Sequence, residues 1–400
     1  MRSAAIGAWL TRGSRHEDLV DAGMAHFVEH MLFKGTTSRS ARDLAQAIDS
    51  IGGQVDAFTS KEYAGYYIKV LDDQLPVALD LLSDMLLRPA FAPDDVVREQ
   101  GVVLEEIKMV EDTPDDLVHE VFAQSFWEGH PLGRPILGTE NSVSAFTADR
   151  VRAYFGRTYT AANLIVTAAG RLDHAIVRDQ VANAFAAVPH GTPDALVDVR
   201  PMPRAIHLQR EKDIEQSHVC LGTPAYAQGD QRRHAALVLN TVLGGSISSR
   251  LFQHIREDRG LAYSVYSNVA SYSDAGMLSI YAGCAADKIA DVVDVSLDEL
   301  RTLRDVAVEA DELRRAKDHL KGSLMLGLEN TSSRMSHLAR QEMVFGRQFT
   351  FDELLAAVEG VTSDDVRAVA ADWFGHGAVS ASIVGPEGAP ALSASRLSLE

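Results

Sequence analysis

The segment FTADRVRAYFGRTYTAANLIVTAAG, residues 146–170, returns in the second half of the chain as VTSDDVRAVAADWFGHGAVSASIVG, residues 361–385. In each copy a threonine, Thr147 or Thr362, precedes a run of helical period carrying Val-Arg-Ala, and an apolar strand follows, ending at Gly170 or Gly385. A hydroxyl residue just before such a run is a helix N-cap, because its side-chain oxygen accepts from an N–H that the first turn leaves unpaired. Self-similarity over this distance indicates duplicated domains, each closing with the same helix and strand.

Working outward, FAPDDVVREQGVVLEEI from Phe91 has a weaker echo in VEADELRRAKDHLKGSL from Val308. Both open on acidic residues suited to a helix N-terminus, but the second copy lacks the acidic pair Glu105 and Glu106. Residues 190–204, HGTPDALVDVRPMPR, hold three prolines and no periodicity, which predicts a linker and a boundary near residue 195. The expected domains are therefore 1–195 and 196–400. Strands are predicted at Ser3–Leu10, Tyr66–Leu71, Leu164–Ala169, His218–Gly222 and Leu278–Ala282. They alternate with longer helical stretches such as Leu75–Leu87 and Asp94–Val110, giving a two-domain α/β or α+β protein.

Composition narrows the function. The 400 residues are 46% hydrophobic and 24% charged. No apolar run approaches the roughly 20 residues of a membrane span. A formal charge of −18 repels phosphate backbones, which argues against nucleic acid, and favours basic peptides. The two cysteines, Cys220 and Cys284, lie in separate strand-like settings and read as buried thiols of a reducing compartment. The opening MRSAAIGAWLTRGSRHED reads as a strand and carries no export signal, so a cytoplasmic location is expected.

The chemistry centres on HFVEH, residues 26–30. On a helix, His26 and His30 project about 40° apart and one turn along the axis, so both imidazoles can reach one ion. Glu29 shares that face, where it can act as a general base toward water. A catalytic zinc needs a third protein ligand from elsewhere in the chain. The counterpart stretch in the second half, HAALVLNTVLGG from His234, is apolar at these positions and cannot hold the metal.

HFVEHMLFKGT followed by VVLEEIKMVEDTPDD resembles the inverted-zincin peptidases of the pitrilysin family, and their processing-peptidase branch above all. The resemblance implies two homologous α+β domains, each a mixed, mostly antiparallel sheet packed against helices, enclosing a central cleft, with one zinc per chain. The family's third ligand, a glutamate at a characteristic distance past the second histidine, falls on Glu106, with Glu105 the outward-pointing neighbour. A supporting family glutamate two turns earlier on that helix falls on Glu99. Hydrolysis of an extended or unfolded peptide by water that Glu29 deprotonates is the implied activity.

SRLFQHIREDRGLAYSV from Ser249 is similar to the family's second signature, which implies roles for Arg256 at a substrate carbonyl and Tyr263 at the developing oxyanion. GGQVDAFTSKEYAGYYIKV resembles the edge strand to which substrate adds, lined by Ala57, Phe58 and Thr59. Asp56 stands there in place of the usual Asn, and Gly65 in place of a common Thr. Phe33 matches an aromatic beside the residue after the scissile bond, and Asp116 and Glu120 match acids that select an upstream arginine. The family normally begins with one more strand, so an unpaired sheet edge is expected here.

Two competing readings are a non-catalytic scaffold subunit and a subunit active only beside a separate partner. Retention of His26, Glu29, His30 and Glu106 speaks against the first. Arg256 and Tyr263 on the same chain favour a self-sufficient protomer or homodimer over the second.

Overall fold

In the computed structural model, which describes residues 2–192, 201, 207–375 and 377–400, the chain forms two compact units. The strands among the described residues are β1 Ser3–Leu10, β2 Gln54–Thr59, β3 Ala64–Leu71, β4 Leu164–Gly170, β5 His207–Glu211, β6 Gln216–Ala225, β7 Ala262–Ser271, β8 Gly276–Ala285 and β9 Ser380–Gly385. The helices up to residue 184 are α1 Met24–Met31, α2 Ala41–Ser50, α3 Leu75–Leu87, α4 Pro93–Asp112, α5 Pro114–Phe126, α6 Glu140–Ser144, α7 Ala148–Thr158 and α8 His174–Ala184. Beyond it lie α9 Arg233–Leu243, α10 Ile289–Asp305, α11 Ala310–Gly327, α12 Thr331–Phe345, α13 Phe351–Glu359 and α14 Ser363–Phe374.

The first unit comprises Met1–Met109, Arg134–Val199 and Leu326–Gln348. Its sheet runs β2-β3-β1-β4, with every neighbouring pair antiparallel. Strand β1, SAAIGAWL, is apolar at almost every position because both faces are covered, as in any strand buried on two sides. Ala4, Ile6, Ala8 and Leu10 join the core containing α1 and α3, while Ala5 and Trp9 pack with Met335 and Ala339 of α12. Polar contacts register that second layer: the Trp9 indole N–H donates to Thr167 Oγ1 at 2.7 Å, and Thr167 donates to the Met335 carbonyl at 3.1 Å.

The second unit comprises Val110–Gly133, Arg200–Met325 and Phe349–Glu400, with a sheet in the order β5-β9-β6-β8-β7. Apart from β5, which adds in parallel to β9, the order β7-β8-β6-β9 repeats that of β2-β3-β1-β4. Thr147 and Thr362 cap α7 and α14 through their side chains, as the duplicated segment predicts. One core lies between this sheet and α9, α10 and α14. On the opposite face α5 contributes Phe122 and Phe126.

The expected boundary near residue 195 lies outside the described residues. The units also exchange segments, since residues 110–133 belong to the second and 326–348 to the first, an arrangement no single cut produces. The physical reason is that each sheet has two apolar faces that must both be covered. Helices α12 and α5 supply the second layers on β1–β4 and β6–β9 respectively. Both cysteines are buried and unpaired. Among the described residues, no helix is long and apolar enough to cross a membrane.

Candidate metal centre

Helix α1 carries His26, Glu29 and His30, and its inward residues Phe27, Val28 and Met31 are fully buried. That anchoring directs the remaining face toward α4. Helix α4 starts at Pro93 with Asp94 and Asp95 in its first turn, favourable against the positive end of the helix dipole. The helix brings Glu99 and Glu106, two turns apart on one face, to the histidines.

Glu106 Oε2 lies 3.6 Å from Nε2 of His26 and 3.6 Å from Nε2 of His30. Ligand atoms of the three residues fall within 4.8 Å of one another, and among the described residues no other such trio is brought together. Ligands of a tetrahedral zinc with bonds of about 2.0–2.1 Å sit roughly 3.4 Å apart, so the spacing suits that ion. Glu105, in contrast, is exposed and pairs with Lys108 at 2.7 Å.

The protonation pattern also fits a cation. His30 Nδ1 lies 2.8 Å from Glu99 Oε1. Because a carboxylate only accepts, Nδ1 carries the proton of this bond, so that Nε2 is the ring nitrogen left to face Glu106. Burial, aided by neighbouring His30, holds the His26 pKa down to about 4, which keeps its imidazole neutral and able to ligate. The two Nε2 atoms and a carboxylate oxygen thus converge on one point.

Glu29 is half-buried beside this trio, and Thr59 donates its hydroxyl to Glu29 Oε2 at 2.6 Å. Burial raises the Glu29 pKa above the ordinary carboxylate range, against the opposing effect of the Thr59 bond. Lys34, which sequence reasoning missed, binds Glu99 Oε2 at 2.7 Å. The Lys34 ammonium therefore fixes the carboxylate that orients His30. Lys34 lies in the turn that follows α1, and its only signal in the sequence is a position four residues after His30.

Strand β2 lies at the edge of its sheet, paired with β3 alone. Ser60 donates its N–H to the Tyr63 carbonyl. By antiparallel alternation Phe58 and Gly65 therefore exchange backbone bonds, while Ala57 and Thr59 face the open edge. The Phe58 side chain packs against Trp9 and Tyr63 on the face covered by α12. Strand alternation thus turns the Phe58 side chain to the face opposite Ala57 and Thr59. Gly65 makes room for this packing: a Cβ there would lie 2.7 Å from Trp9 and 2.8 Å from Phe58. Asp56 accepts from the Tyr67 hydroxyl at 2.7 Å and from the Ala57 N–H at 2.9 Å, so its carboxylate occupies an edge-facing donor. Phe33 is half-buried against the first unit's core.

Asp116, Glu120, Arg256 and Tyr263 belong to the second unit. Asp116 is exposed and Glu120 half-buried on α5. Phe252–Glu257 forms a π-helical turn, and at the start of β7 the register with β8 shifts between Ala262 and Ser264, leaving Tyr263 as the extra residue of a bulge. Each irregularity re-aims a side chain: Tyr263 is 80% exposed, and the Arg256 guanidinium sits 5.2 Å from its ring centroid. His254 and Arg250 tie this turn to Glu299 and Glu312, at 2.5 and 2.8 Å respectively.

Residues 1–140 match the family model described as insulinase, peptidase family M16, and residues 145–320 match the peptidase M16 inactive domain. An uncharacterized zinc protease of Streptomyces coelicolor is 45% identical over 96% of this chain and 85% of its own length. A second one, YmxG of Bacillus subtilis, is 43% identical over 94% of this chain and 91% of its own. The chain belongs to peptidase family M16. The inactive-domain match in this M16 chain spans α9, where the metal-binding positions are apolar. Among solved structures, a protease from Helicobacter pylori has a TM-score of 0.87 at 20% identity, covering 96% of this chain and 94% of that one. A peptidase M16 inactive domain from Pseudomonas fluorescens gives 0.89 at 21% identity, covering 98% and 95%. At such identities these two establish the common α+β fold.

Proposed function

We propose that this M16 chain is a zinc-dependent endopeptidase acting on extended or unfolded peptides. The observation that carries the reading is the approach of both Nε2 atoms to Glu106 Oε2 with Glu29 alongside. His26, His30 and Glu106 would hold the zinc, which when bound supplies Lewis acidity toward a peptide carbonyl and an attacking water. Glu29 takes the proton of that water and returns it to the departing amine, while Thr59 holds its second oxygen in place. The open edge of β2 receives the peptide by main-chain hydrogen bonds, which leaves side-chain specificity loose. In this reading Tyr263 donates to the developing oxyanion and Arg256 binds a substrate carbonyl.

The test is metal removal. Purified protein is expected to contain one zinc per chain by elemental analysis, to lose cleavage of a panel of internally quenched peptides after chelation, and to recover it on adding stoichiometric zinc. Cleavage that persists in the zinc-free protein would sink the proposal.

Asp56 supplies a second expectation. Its carboxylate competes with an incoming peptide carbonyl for the Ala57 N–H, which removes a hydrogen bond of about 1 kcal/mol from substrate binding. Asp56→Ala should therefore lower KM by about five-fold, the factor that energy represents. Steady-state kinetics on one peptide checks this, and an unchanged or higher KM contradicts the competition.

A further inference from the structure

We propose that the loop Gly13–Glu17 is a brace that positions the metal centre, with Glu17 holding the N-terminus of α1 and Arg15 holding the turn that follows β2. The inference rests on the peptidase reading above. It assigns positioning roles to two residues that touch neither metal nor substrate.

Helix α1 is short, and its N-cap is Gly23, which has φ 92° and no side chain with which to cap. Its first N–H groups lack intrahelical partners. Glu17 meets that need from outside the helix: Oε2 accepts from the Gly23 N–H at 2.8 Å and Oε1 from the Ala25 N–H at 2.6 Å. The carboxyl group is buried, with Glu17 only 5% exposed, so water cannot substitute for it. His26 is the next residue after Ala25, and the position of the first metal-binding imidazole follows from this cap.

The same loop grips the β2–β3 turn. Ser14 donates its N–H to the Ser60 carbonyl at 3.1 Å and Arg15 to the Lys61 carbonyl at 2.8 Å. The buried Arg15 side chain reaches Glu62 Oε1 at 2.6 Å. Gly13 permits the approach, since a Cβ there would lie 2.2 Å from the Ser60 carbonyl oxygen. Arg134 closes the ring: its guanidinium donates to the Glu17 carbonyl at 2.7 Å, and its own carbonyl accepts from the Lys61 ammonium. Ser60 follows Thr59, whose hydroxyl fixes Glu29. One short segment thus sets both ends of the Glu29–Thr59 contact, the helix that carries the base and the strand that orients it.

The test uses the full-length, zinc-loaded chain with Glu17→Gln and Arg15→Met. Gln has the size of Glu but turns an N–H donor toward one of the two helix N–H groups. Groups that support metal ligands change affinity or activity by about 10–100-fold on removal. We expect Glu17→Gln to weaken zinc binding about ten-fold in competition with a chromophoric chelator, and to lower kcat similarly with KM within about two-fold. Arg15→Met should lower kcat with little change in zinc affinity, and Arg15→Lys should recover most of the loss, because an ammonium can still pair with Glu62. Should Glu17→Gln fail to fold, the Arg15 pair alone decides the matter. Variants that lose thermal stability but keep wild-type zinc affinity, kcat and KM overturn the brace. A wild-type chain that binds no zinc overturns the peptidase reading on which it rests.

Discussion

Glu29→Gln is expected to lower kcat by about 10³-fold, inside the range for loss of a general base, while bound zinc stays at one per chain. The amide matches the carboxylate in shape, and its carbonyl oxygen can still accept from the Thr59 hydroxyl, so neither α1 nor β2 has reason to move. What disappears is a group able to take a proton from water. Since Glu29 stands outside the trio of His26, His30 and Glu106, metal content separates loss of the base from loss of the site. Quenched-peptide kinetics and elemental analysis on the same sample provide both readouts. A variant that retains zinc and more than about a tenth of wild-type kcat removes Glu29 from the role assigned to it.

The parts of this arrangement that depend on local periodicity were legible in the sequence. Spacing of four places His26 and His30 on one helical face, and the duplicated Thr-capped segment anticipates the shared strand order of the two sheets. Glu106 required the resemblance, because no local pattern ties a residue on α4 to one on α1. Three features escaped for physical reasons. The apolar faces of α5 and α12 show that they must be covered without saying by which sheet, so the exchange of segments was invisible. Lys34 acts through Glu99, a contact between distant parts of the chain that sequence position does not encode. Glu17 caps α1 from outside the three-residue spacing of a capping box, and therefore reads as an ordinary loop acid. Phe58 differs again, because period-two alternation alone places its side chain on the face opposite Ala57 and Thr59.

Glu106→Ala is expected to weaken zinc binding by more than about 100-fold, whereas Glu105→Ala should leave it within about two-fold. The comparison matters because the two residues are adjacent and only geometry separates them. Glu106 brings Oε2 to 3.6 Å from both imidazoles. Its removal leaves two imidazole nitrogens, a set too small to hold a catalytic ion firmly. Losses of about 10–100-fold are typical when a group behind a ligand is deleted, so deleting a ligand itself should exceed that range. Glu105 projects into solvent and pairs with Lys108 one turn away, an exposed contact worth little. Zinc affinities by chelator competition, with circular dichroism to confirm folding, decide between them. Equal losses for both variants would mean that the general negative charge of α4, rather than a ligand at Glu106, retains the metal. A loss confined to Glu105→Ala would assign the third ligand to its neighbour and require α4 to rotate by roughly 100° from the observed orientation.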